Sequence, residues 1–148
     1  MSLPQLPEIN PTDRQRVFRH RGTDSSNEQL SLLGDPILTA VITDWIIQKR
    51  PTWTPGEVSV VRAALVRARS VADWTTMYEL QTHIQTAANT TSMLVQRSQG
   101  AQVAVFKAYV AAVYLRGGFP AVHEWLSQVL SSTVDLSEFD RLSLARVV

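Results

Sequence analysis

A chain of 148 residues, 45% of them hydrophobic, is long enough to bury the core of one domain. Only 18% are charged and the formal net charge is +1, which argues against the concentrated basic face of a tight, unaided duplex-RNA binder. With no cysteine, disulfides and thiolate metal sites are excluded, and no apolar run reads as a membrane span, a signal peptide or an Arg-rich transit peptide. The expectation is an intracellular protein, cytoplasmic or nuclear, with no membrane partner.

Residues 1–9, with Pro4 and Pro7, read as an extended lead-in. Asn10-Pro11-Thr12-Asp13 is a helix start, with asparagine as N-cap, proline in the first turn and an acid near the helix dipole. That short helix turns Val17 and Phe18 inward, and Gly22 to Ser26 form a polar loop. In the stretch from Asn27 to Leu38, Leu30, Leu33, Ile37 and Leu38 recur at helical spacing, so one face is core. Gly34-Asp35-Pro36 conflicts with a continuous helix: glycine suits a C-cap, aspartate an N-cap, and an interior proline costs roughly 3 kcal/mol. The spacing therefore predicts a kink or break at Asp35, the alternative being a Pro36 absorbed near a helix start with little distortion.

Ile37 to Ile47 is apolar nearly all round, as a central helix is. Thr54-Pro55-Gly56-Glu57 has capping-box spacing and opens a helix through Val58, Val61, Leu65 and Val66. Another helix is predicted from Ser70-Val71-Ala72 to about Leu80. The segment from His83 to Ser98 carries no readable chemistry, and Asn89 to Ser92 are expected in a loop. Gln99 to Leu115 is a buried helix closed by Gly117-Gly118, and Phe119-Pro120 starts a helix bearing Val122, Trp125, Leu126, Val129 and Leu130. A final helix or tail occupies 135–148, starting after Ser137 by the Ser-x-x-Asp spacing to Asp140. The whole reads as an all-α single domain, 1–148, of about seven or eight helices and no internal repeat.

Asn27-Glu28-Gln29-Leu30-Ser31-Leu32-Leu33-Gly34-Asp35 resembles the signature helix of the ribonuclease III endonuclease domain, Asn-Glu-Arg-Leu-Glu-Phe-Leu-Gly-Asp. Gly56 to Val66 resembles that family's Gly-x-Leu-Ser-x-Leu-Arg-Ala-x-Leu-Val, and Phe18-Arg19-His20 its Phe-x-His. Gln102 to Gly118 is similar to its other signature in the fungal, Dicer-related type, Gln-Ala-Asp-Val-Phe-Glu-Ser-Tyr-Val-Gly-Gly-Leu-Tyr-Leu-Asp-x-Gly, with Phe106, Tyr109, Tyr114 and Leu115 agreeing. The resemblance covers about residues 3–130. It implies an all-α fold, a catalytic site at Ser31, Asp35, Ala104 and Lys107, and a scaffolding role for His20. It also implies a homodimer whose interface takes in Glu28, Leu32, Asp35 and Pro36, with Leu32 at the position of the family's interface phenylalanine.

The acids of that pattern are missing. Ser31 replaces a metal-binding glutamate, Ala104 an aspartate, Lys107 a glutamate and Arg116 a further acid, so Asp35 alone remains. Mg²⁺ needs hard oxygen ligands, and two-metal phosphodiester hydrolysis needs several converging acids. A lysine ~4 Å from a divalent ion costs roughly 8 kcal/mol at an effective dielectric near 20. No metal cofactor is expected, and with it no metal-dependent cutting of double-stranded RNA.

Other chemistries lack their motifs: there is no phosphate-cradling glycine loop, no zinc-spaced His/Cys set and no nucleophile elbow. Two functions stay open. One is an atypical endoribonuclease of RNA processing, silencing or decay that uses the ribose 2′-hydroxyl as nucleophile and so acts on single-stranded RNA, with Arg62, Arg67, Arg69, Lys107 and Arg116 as phosphate contacts and His20, His83 or His123 as proton carrier. The other is a non-catalytic scaffold or dimerisation module, a mitochondrial ribosomal protein of this fold included.

Overall fold

The computed structural model describes residues 2–88 and 90–144. Met1 of the lead-in, Asn89 of the expected loop and 145–148 of the expected tail lie outside the described residues. Among those described, the regular structure is helical: α1 (Pro11–Val17), α2 (Glu28–Lys49), α3 (Pro55–Val66), α4 (Ala68–Met77), a 3₁₀ turn (Leu80–His83), α5 (Ser92–Arg97), α6 (Gln99–Thr133) and α7 (Ser137–Leu144). A single parallel bridge joins Arg19 to Gln85. The fold is all-α, as the periodicities predict.

Helices α2 and α6 pack on each other more extensively than any other pair; α3 lies against α2, while α1 and α4 lie against α6. The buried face of α2 is Leu30, Gly34, Leu38, Val41, Ile42, Trp45 and Ile46, spaced at three and four residues. It meets an Ala- and Val-rich stretch of α6, Val105 to Val113, whose small side chains let the helices approach closely. Phe106 and Trp125 anchor the centre: their ring centroids lie 5.7 Å apart, with Trp74 at 5.7 Å from Phe106 and Tyr109 at 5.8 Å from Trp125. Trp45, Trp74 and Trp125 are buried in the core.

The N-terminal segment is strapped to this core. Tyr78 donates its hydroxyl to the Pro4 carbonyl at 2.7 Å and Tyr109 to the Pro7 carbonyl at 2.6 Å, with Ile9 buried beyond them. Burial raises both phenols above the usual tyrosine range. At the other end, Arg50 grips Asp140 with two hydrogen bonds, 3.0 and 3.1 Å, and ties α7 to the end of α2.

Several local expectations hold. The Asn10 side chain caps α1 by accepting from the Thr12 amide, and Thr54 caps α3 by accepting from the Glu57 amide. Helix α6 is two helical arms meeting at Gly118, whose φ of 74° lies in the left-handed region that glycine enters freely. Pro120 then falls in the first turn of the second arm, where its missing donor is not needed.

Others are corrected. α2 is unbroken through Gly34-Asp35-Pro36, so the predicted kink or break at Asp35 does not occur. Packing on α6 outweighs the proline penalty, and Leu32, whose carbonyl loses its helical donor to Pro36, is 77% exposed and can be hydrated. α4 starts at Ala68 and stops at Met77, because Glu79 turns left-handed at φ 56° before the 3₁₀ turn. Ser92 belongs to α5, not to the loop. α7 begins at Ser137 itself, whose amide donates to the Asp135 carboxylate at 3.0 Å. Finally, α2 is long and apolar enough, by length and composition alone, to cross a membrane, contrary to the sequence reading; here it forms the centre of the packed domain.

Candidate functional site

The site begins with a glycine. At Gly34 the backbone of α2 rests on the backbone of α6: a Cβ there would overlap the Lys107 carbonyl oxygen and lie 2.6 Å from its carbonyl carbon. Only a residue without a side chain permits this approach. The close crossing brings the next residue on α2, Asp35, against the side chain of Lys107, and the Lys107 Nζ sits 2.6 Å from Asp35 Oδ1. The lysine side chain is 20% exposed and the aspartate 56%.

Asp44 meets His123 and Trp45 bonds Ser131 further along both helices, so α2 and α6 run in the same direction. Ser31 and Ala104 therefore stand one turn before Asp35 and Lys107, on the same two helices. By that register the four positions occupy the same stretch of the two helices, and their polar content is a carboxylate, an ammonium and a hydroxyl. Among the described residues no three His, Cys, Asp or Glu side chains gather as a metal-holding group.

The remaining sequence candidates scatter. Arg62 lies on α3, Arg67 at the α3–α4 junction and Arg69 on α4, exposed or half-exposed and in no ion pair among the described residues. Arg116 pairs at 3.7 Å with Glu8, both on the surface. Glu28, Leu32, Asp35 and Pro36 are all exposed along α2, and Leu33 joins them at 37%.

The three histidines differ. His123 is engaged at both nitrogens: Nε2 bonds the Asp44 carboxylate and Nδ1 faces the Ser127 hydroxyl at 3.5 Å. Ser127 follows His123 by four residues, a spacing visible in sequence, whereas Asp44 is brought by the fold. His83 packs its ring on Phe18 at 5.4 Å. His20 is held by its backbone alone, its amide donating to the Gln85 carbonyl at 2.9 Å and its carbonyl accepting from the Thr23 hydroxyl at 2.7 Å. Its imidazole has no hydrogen-bond partner among the described residues, so the structural, hydrogen-bonded histidine expected there is structural through its backbone only.

His20 lines a cleft of about 650 Å³ between the start of α2 and the start of α6. Arg21, Asn27 and Glu28 share its wall, and Ala104 lies at the end nearest the Asp35–Lys107 crossing. Burial, with Arg21 close by, lowers the His20 pKa from 6.5, and Glu28 opposes the shift.

Fold and crossing together define an all-α helical domain centred on the α2–α6 pair. A family model described as Ribonuclease-III-like matches residues 16–133. Ribonuclease 3 of Streptococcus thermophilus is 32% identical over 123 residues, 80% of this chain and 52% of that protein. Ribonuclease 3 of Leuconostoc citreum is 27% identical over 114 residues, covering 77% and 49%. Among solved structures, the nuclease domain of ribonuclease III from Campylobacter jejuni, described with a region involved in dimer formation, superposes with a TM-score of 0.78 at 21% identity, over 84% of this chain and 89% of that one. Dicer from Pichia stipitis superposes at 0.71 with 24% identity, over 93% and 61%. The chain belongs to the ribonuclease-III-like family. It spans about half the length of the curated relatives it matches.

Proposed function

We propose that this chain is an RNA-processing domain of ribonuclease III descent that acts without a divalent metal and, where it cuts, cuts single-stranded RNA. The observation that carries the reading is the ion pair at the crossing: the one acid retained from the family pattern, Asp35, is already neutralised by Lys107 at 2.6 Å. A magnesium centre asks for several hard oxygen ligands and a site of net negative charge. Asp35, Ser31, Ala104 and Lys107 do not fit it, because one carboxylate shares the place with an ammonium and the other two positions supply a hydroxyl and a methyl group. Cleavage without metal uses the ribose 2′-hydroxyl in line with the scissile bond, a geometry that flexible single strands reach and a stacked A-form duplex resists.

The test is incubation of the purified chain with labelled single- and double-stranded RNA, in Mg²⁺ and in EDTA. Cutting of single strands only, unchanged by EDTA, is the expected result; duplex cutting that requires Mg²⁺ refutes the reading.

A second reading, a non-catalytic dimerisation module, is favoured by the exposed apolar face of α2, where Leu32 is 77% exposed beside Leu33 and Pro36. Under either reading we propose a homodimer through this face, with Glu28 and Asp35 at its edge. Sedimentation or solution scattering that finds a monomer at high concentration counts against it.

A further inference from the structure

Of the three histidines, one has the surroundings of a reacting group. His20 combines a backbone pinned at both its amide and its carbonyl with an imidazole that makes no hydrogen bond among the described residues, and the residue lines a cleft. The cleft volume of about 650 Å³ falls in the ~300–1,000 Å³ range of sites that enclose small ligands, large enough for a nucleotide. Arg21, the next residue, is exposed and in no ion pair among the described residues, so its guanidinium is available to a phosphate. The opposite wall, with Leu94, Ser98 and Ala101, contributes no ionisable side chain. An uncharged wall thus faces the side that carries His20, Arg21 and Glu28.

We propose that this cleft is the reacting site for single-stranded RNA, with His20 as general base on the ribose 2′-hydroxyl and Arg21 as the clamp on the scissile phosphate. The inference rests on the metal-independent reading above and names the residues that carry it. The His20 imidazole takes the 2′-hydroxyl proton as the 2′ oxygen forms its bond to phosphorus, and the bond from phosphorus to the 5′ oxygen breaks. The departing 5′ oxygen takes a proton from water, and the hydroxide so formed removes the proton from the imidazolium. The products are a 2′,3′-cyclic phosphate and a 5′-hydroxyl, and no redox partner is needed. Arg21 balances charge on the phosphoryl oxygens, and the Glu28 carboxylate steadies the transient imidazolium.

The ionisable groups facing His20 are Arg21 from its own loop and Glu28 from α2; α5 and α6 supply none along this cleft. Burial and Arg21 lower the imidazole pKa from 6.5, so the neutral, proton-accepting form prevails at pH 7. The rate should rise with pH and level off, with its inflection below 6.5.

The experiment uses the full chain in EDTA with a single-stranded RNA oligonucleotide and with a DNA oligonucleotide carrying one ribonucleotide. Expected are cyclic-phosphate ends from both, at least a ~100-fold fall in kcat for His20→Gln with loss of the acidic inflection, and a raised KM for Arg21→Gln. NMR of the wild-type His20 ring during titration with 3′-uridine monophosphate gives a readout independent of turnover; an unmoved ring signal overturns the site. A His20→Gln variant that cuts at the wild-type rate overturns the site and leaves metal-independent cleavage standing. A wild-type chain that cuts nothing in EDTA overturns both.

Discussion

The α2–α6 crossing and the His20 cleft adjoin at Ala104, yet they are built on opposite plans. At the crossing the backbones touch through Gly34 and the charged side chains answer each other, Lys107 to Asp35. In the cleft the backbone is equally well fixed, but the His20 ring and the Arg21 guanidinium have no partner among the described residues. A polar group satisfied from within holds structure, while one held in place and left unsatisfied is available to a ligand. The crossing thus reads as a structural joint, and the proposed chemistry lies in the adjoining cleft.

The sharpest way to break this contrast is at the joint. Gly34→Ala should destabilise the fold by at least about 3 kcal/mol, since a rigid backbone and not a flexible side chain blocks the new Cβ. Urea unfolding measures it, and a variant as stable as its parent would show that the helices do not touch there. Next comes the combined change Ser31→Glu, Ala104→Asp and Lys107→Glu, which converts the joint into a four-acid site. Calorimetry should then detect Mn²⁺ binding absent from the parent, with a gain of about 2.7 kcal/mol in stability at a hundred times Kd. If the parent binds Mn²⁺ as tightly, the contrast fails.

Pro36→Ala should stabilise by about 1–2 kcal/mol by returning a donor to α2, and the same unfolding midpoints report it. No gain would mean that the Leu32 carbonyl was already well satisfied by water. The smallest effect is expected for Lys107→Met. Because Asp35 is 56% exposed and solvent screens the pair, the loss should stay below about 1 kcal/mol and shrink further in high salt. A larger, salt-independent loss would mark the pair as the main tie between the helices.

Much of the fold was legible from residues 10, 54, 118 and 120 and from the three-and-four spacing of apolar positions, because caps, glycine breaks and helical periodicity are local. Pro36 misled for the same reason: its penalty is local, and the packing that overrides it is not. Of the candidate site, the residues Ser31, Ala104 and Lys107 could be read as departures from the motif that the chain resembles. The direct Lys107–Asp35 pair could not be read there, nor could the Asp44–His123 contact between residues 79 apart in sequence.

From the order of residues alone came an all-α chain of ribonuclease III type, most of its helix ends, and the expectation of too little anionic oxygen around Asp35 to hold a metal ion. Only the folded molecule decided that α2 stays whole, that Lys107 closes on Asp35, and that His20, its ring without a hydrogen-bond partner among the described residues, lines a cleft. Those outcomes depend on the register at which two long helices cross, which packing around Gly34 sets and no short window of sequence contains.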